Sequence, residues 1–95
     1  EASEGNNIIL EKSFNLNILT PEKTVYEGQV VSLIVPAALG YLGVLADHAP
    51  LAANLAKGKI VIKKESGESL ILSLKENGFI EVLKNNVTIL VNGGI

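Results

Sequence analysis

The chain has 95 residues, is 47% hydrophobic but only 4% aromatic, and sets eight lysines against ten acids for a formal net charge of −2. That length allows one domain, with an aliphatic core. The absence of cysteine excludes a disulfide scaffold, a thiolate metal site and a thiol nucleophile. A single histidine excludes an all-histidine metal cluster within one chain, so neither metal nor cofactor is expected. There is no arginine and no basic excess, which argues against nucleic acid as a partner. No apolar run approaches the roughly 20 residues of a membrane helix, and Ile8 to Leu10 is too short for a signal-peptide core.

Residues 1–13 are polar apart from Ile8, Ile9 and Leu10. They read as a flexible leader or a construction remnant, the alternative being an extra edge strand using Ile8 and Leu10. From Phe14 the pattern is β: Phe14, Leu16 and Ile18 alternate with Asn15 and Asn17. Thr20-Pro21-Glu22-Lys23 breaks this strand. Thr24 to Glu27 predicts a second short strand, with Gly28 as a turn. Gln29 to Val35 is apolar on both faces, which predicts a central strand covered on both sides and ended by Pro36.

Residues 37–51 are the least regular stretch, with Leu55 to Gly58 a further turn region. Four punctuated strands follow: Lys59 to Lys64, Ser69 to Leu74, Phe79 to Leu83 and Val87 to Val91. Glu65 to Glu68 reads as a hairpin turn, Asn77-Gly78 as a turn needing positive φ, and Lys84-Asn85-Asn86 as another turn. Turn signals about every 8–12 residues indicate an all-β fold, a sandwich or barrel. The domain is placed at 14–92, with 93–95 as a tail.

His48 is the sole imidazole. One reading makes it a general base with Asp47 or Glu81, in an orphan β-sandwich hydrolase or carbohydrate-binding module. The other makes it a loop histidine that bonds backbone before Pro50. The sequence favours the second, since no nucleophile, base and orienting group are evident together. No G-x-S-x-G elbow and no phosphate-cradling loop occurs. Gly40-Tyr41-Leu42-Gly43 sets an aromatic and a leucine between two glycines. Either the Tyr-Leu pair is exposed and anchors a protein partner, or Leu42 plugs the core at a tight corner.

Phe14 to Glu22 followed by Val25-Tyr26-Glu27-Gly28 resembles the start of the epsilon subunit of F-type rotary ATP synthases. Gly40 to Leu51 resembles that family's G-x-[LI]-G-[VI]-x-x-x-H-A-P motif, and Gly78 to Val82 with Asn86 to Val91 fits its later strands. The resemblance spans residues 14 to about 92. It implies a flattened antiparallel β-sandwich of about ten short strands, the amino-terminal domain of that subunit, with no catalytic residues. It implies a central-stalk role, coupling proton-driven rotation to ATP synthesis through the gamma subunit and the c-ring polar loops. The complex would sit on the cytoplasmic face of the bacterial inner membrane or the equivalent organelle face. By the same resemblance, Leu39, Gly40, Tyr41, Leu42 and Gly43 face the c-ring, and Asp47, His48, Ala49, Pro50 and Leu51 face gamma. Position 41 is commonly Glu or Gln in the family. Tyr41 implies contact through stacking and its hydroxyl instead. Members usually continue into two carboxy-terminal helices that brake hydrolysis and in some bind ATP. Nothing after Val91 fits them, so the chain as given is expected to lack the brake and the nucleotide site.

Overall fold

A computed structural model describes residues 12–93 and 95. The expectations for residues 1–11 lie outside the described residues. Eight strands follow in chain order: β1 (Phe14–Leu19), β2 (Thr24–Ala37), β3 (Gly40–Val44), β4 (His48–Leu55), β5 (Gly58–Lys64), β6 (Ser69–Leu74), β7 (Gly78–Lys84) and β8 (Asn86–Val91). All belong to one continuous hydrogen-bonded sheet, ordered β1-β8-β7-β4-β2-β5-β6, with β3 beside β2 and a further β1–β2 pairing. The circuit β1, β8, β7, β4, β2 therefore closes on itself, and the sheet folds over as a sandwich. Ladders are antiparallel except β1–β8, which is parallel. The first and last of these described strands thus lie side by side, and β1 has partners on both edges.

Period-two alternation builds the core. Phe14, Leu16 and Ile18 of β1, Ile60 and Ile62 of β5, Ile80 and Val82 of β7, and Val87, Ile89 and Val91 of β8 all point inward and are buried. The outward positions Asn15 and Asn17 of β1 carry amides. Asn15 Nδ2 donates to Asn86 Oδ1 at 3.0 Å across the parallel ladder.

Where two strands and a turn were predicted, β2 runs unbroken for 14 residues through Gly28. Gly28 pairs with Leu16, so β1 holds that stretch extended. The strand also passes Pro36, which pairs with Tyr41 while its carbonyl accepts from the Ala56 N–H at 2.8 Å. The expected cover on both faces is corrected as well. A bulge falls between Val30 and Ser32, which shifts the inward phase from Val30 to Leu33 and Val35 and leaves Ile34 43% exposed. A phase change at a bulge looks like a two-sided strand in sequence. Residues 37–51, read as irregular, contain β3 and the start of β4.

The Glu65–Glu68 turn holds: Gly67 N donates to Lys64 O at 2.9 Å with Gly67 at φ 92°. Asn77-Gly78 does not form a positive-φ hairpin. Gly78 opens β7 opposite Val91, and a Cβ there would stand 2.8 Å from the Leu90 carbonyl oxygen. The glycine is required by a backbone approach, not by a turn. Gly78→Ala is expected to cost about 1–3 kcal/mol, seen as a lower urea midpoint. An unchanged midpoint would mean that the β7–β8 ladder yields freely.

Candidate functional site

The segment Leu39 to Gly43 leaves β2 through a two-residue turn, Ala38-Leu39, closed by the Ala37–Gly40 pair. Leu39 is fully exposed at the tip, and Gly40 takes φ 136° behind it. From Gly40 on, this stretch is a strand within the region read as irregular. The two readings of Tyr41-Leu42 divide between the two residues. Tyr41 is 68% exposed and lies beside Pro36, with its hydroxyl over Gly58. Leu42 is half-buried and packs on the core.

β3 and β4 follow each other in the chain but form no ladder. β3 pairs with β2. β4 pairs with β7, and meets β2 at Ala37 and Leu55. Between the diverging strands lies a groove of about 690 Å3, lined by residues including Leu39, Tyr41, Leu42, Leu51 and Ala53. Leu51, placed with the second cluster by sequence, therefore shares a groove with the first.

The rest of the second cluster sits at the opposite end of β4. His48 opens β4 opposite Lys84, with its Nδ1 2.7 Å from the Ala49 carbonyl oxygen. It bonds backbone as expected, from a strand and not a loop. Ala49 and Pro50 are exposed where the β4–β7 register shifts. Asp47 adopts φ 62°, a left-handed conformation that aspartate tolerates. Its N–H donates to Asn85 Oδ1 at 2.6 Å, while Asn85 Nδ2 and Lys12 Nζ donate to its carboxylate at 2.9 and 3.0 Å. These bonds tie the β3–β4 turn to the β7–β8 turn and to the chain just before β1.

The Asn85 amide first, then Lys12, hold the Asp47 carboxyl below its ordinary range. A depressed folded pKa gives stability that is complete above the unfolded pKa. It is lost as pH falls through the folded one. Asp47→Asn keeps the left-handed turn but loses the ion pair. Its stability deficit is expected to be constant from neutral pH down to about 4 and to vanish below that in acid-dependent thermal unfolding. A deficit that persists at low pH would mean that the charge is immaterial.

A hydrolytic pair at His48 has no geometry to support it. The Asp47 carboxylate is engaged by Asn85 and Lys12. Glu81 pairs with Ala52, four residues along β4 from His48, or about 13 Å at strand rise. Among the described residues no three His, Asp or Glu side chains gather as a metal site.

One surface went unread in the sequence. Leu19, Leu90 and Phe79 are register partners across β1, β8 and β7. With Pro21 they line a shallow outer pocket of about 500 Å3. Its signal was apolar residues in the outward phase of β7 and β8, as well as the inward phase.

The described residues of this sandwich thus offer exposed side chains at the ends of two splayed strands, Leu39 and Tyr41 at one and Ala49 and Pro50 at the other. Residues 13–95 match the family described as "ATP synthase, Delta/Epsilon chain, beta-sandwich domain". Among curated relatives, the ATP synthase epsilon chain of Leptospira borgpetersenii is 46% identical over 80 residues, 84% of this chain and 61% of the relative. The chloroplastic ATP synthase epsilon chain of Emiliania huxleyi is 40% identical over 81 residues, 85% of this chain and 61% of the relative. A chain in the cryo-EM structure of the Euglena gracilis mitochondrial ATP synthase, OSCP/F1/c-ring, superposes with TM-score 0.81 at 23% identity, covering 100% of this chain and 59% of that one. A Tetrahymena thermophila mitochondrial ATP synthase central stalk/c-ring chain superposes at 0.71 with 15% identity, covering 90% and 67%. The chain belongs to the ATP synthase delta/epsilon family, through its β-sandwich domain. It spans about three fifths of the length of the curated relatives that it matches.

Proposed function

We propose that this chain is a non-catalytic central-stalk element of an F-type ATP synthase, with residues 14–92 as the docking domain. In this role it grips the gamma subunit and meets the c-ring polar loops, so that proton-driven ring rotation is coupled to ATP synthesis. It is then peripheral to the coupling membrane, held there through the complex. Family membership supports this reading, as do the two structural neighbours, which are chains of mitochondrial ATP synthase assemblies that include the c-ring.

The observation that carries it is the separation of two exposed clusters at opposite ends of the β3–β4 pair. Leu39 and Tyr41 mark one end, beside a groove. Asp47 to Pro50 mark the other, on a turn braced by Asn85. A coupling element needs two contact regions on one stiff body, and a close-packed aliphatic core transmits force with little compression. We assign Leu39, Gly40, Tyr41, Leu42 and Gly43 to the c-ring side, with Leu42 setting the strand and Leu39 and Tyr41 making contact. Asp47, His48, Ala49 and Pro50 take the gamma side, where Asp47 and His48 shape the backbone that presents Ala49 and Pro50, while Leu51, which the resemblance sets with them, lines the groove beside the first cluster.

Native mass spectrometry of the chain mixed with the gamma subunit of the same synthase tests this. A one-to-one complex is expected. Separate species, with both proteins folded by circular dichroism, would overturn the gamma assignment.

A further inference from the structure

Among the described residues β6 has a ladder partner on one side only, β5. Natural edge strands are blunted by lysine, proline, glycine or a bulge. The strand Ser69-Leu70-Ile71-Leu72-Ser73-Leu74 has none of these, and its register against β5 is unbroken over six pairs. Lys64 N donates to Glu68 O at 2.8 Å at the hairpin end. Counting the alternation from that bond, the backbone groups of Ser69, Ile71 and Ser73 point away from β5, out of the edge.

Two further features select an occupant. Ser69 to Ser73 reads the same in both directions about Ile71. An antiparallel partner of identical sequence therefore sets Ile71 against Ile71, Leu70 against Leu72 and Ser69 against Ser73. The outer face agrees as well. Ile34, Val61 and Ile71 are register partners across β2, β5 and β6, and Ile34 and Ile71 are 43% and 58% exposed. Pairing through the edge continues this apolar row into the second copy.

We propose that β6 docks on β6 of a second copy of this chain, antiparallel about a two-fold axis at Ile71, giving a weak homodimer. Such an isologous contact closes on itself. It is small, in the class of transient interfaces, and it uses none of the residues assigned to the c-ring side or the gamma side. It therefore stands or falls separately from the stalk assignment.

Sedimentation equilibrium of the chain alone tests it. The mass of the monomer is 10.0 kDa. The weight-average mass is expected to rise towards twice that value as concentration increases from micromolar to millimolar. Ile71→Lys places two ammonium groups face to face at the axis, on an already exposed position, and is expected to stay monomeric throughout. Ser73→Pro removes an outward N–H without touching the β5 ladder, and is expected to weaken the dimer while circular dichroism stays unchanged. A wild-type mass that stays at the monomer value at every concentration overturns the proposal. So does dimerisation left intact in a folded Ile71→Lys variant, which would place the contact on another surface.

Discussion

Phe14→Ala is expected to lower the unfolding free energy by about 3–5 kcal/mol. Phe14 is 1% exposed, in a cluster otherwise built from Val, Leu and Ile. It pairs with Val30 of β2, which pairs in turn with Lys64 of β5. The ring therefore sits where β1, β2 and β5 converge, beside the bulge that sets the inward phase of β2. β1 is hydrogen-bonded on both edges and has little freedom to move in and fill the vacated volume. At about 0.05–0.15 kcal/mol per residue, a domain of this size holds roughly 5–14 kcal/mol in total. The loss is thus about a fifth of the stability or more. Urea unfolding should show a large fall in midpoint with an unchanged slope. Phe14→Leu, which keeps most of the volume, should cost about 1–1.5 kcal/mol. A cost below about 1 kcal/mol for the alanine variant would mean that the sheet collapses onto the site.

Much of this fold is legible in the sequence because its strands face a core on one side and solvent on the other. Phe14, Leu16 and Ile18 against Asn15 and Asn17 announce both the strand and its buried face. The same holds for Ile60 and Ile62, and for Leu70, Leu72 and Leu74. Three features were not legible, each for a physical reason. Gly28 reads as a turn because glycine usually punctuates, yet pairing with Leu16 holds it in an extended strand. Gly78 reads as a hairpin residue beside Asn77, yet it serves the close passage of the Leu90 carbonyl, a contact between segments distant in sequence. The run Val30 to Val35 reads as covered on both faces, because a bulge at Val31 imitates that pattern. At the site, the motif from Gly40 to Leu51 spans both of the contact regions proposed above. It does not say which residues are exposed. That depends on β3 joining β2 while β4 joins β7, a divergence that leaves Leu39 in solvent and Leu42 against the core. The Lys12–Asp47–Asn85 link is also beyond local pattern, since its members are 35 and 38 residues apart.

Leu39→Asp and Pro50→Asp are expected to separate the two partners of the stalk. Both side chains are exposed, so neither change should move the thermal midpoint by more than that of a typical surface substitution, about 0.5 kcal/mol. Each places a charge where an apolar contact is proposed. A central interface residue is typically worth about 2 kcal/mol or more, or roughly 30-fold in affinity at 1.4 kcal/mol per decade. Leu39→Asp should weaken capture of the c-ring by that factor and leave the gamma complex intact. Pro50→Asp should do the reverse. Leu42→Asp is the contrasting case. It buries a carboxylate against the core and should lower the thermal midpoint before any binding is measured. If Leu39→Asp and Pro50→Asp each weakened both complexes, the two ends of the β3–β4 pair would form one continuous surface, and the division of partners between them would be wrong. If binding followed the crossed pattern, the splay of β3 from β4 would be the feature that lets one small sandwich hold two partners at once.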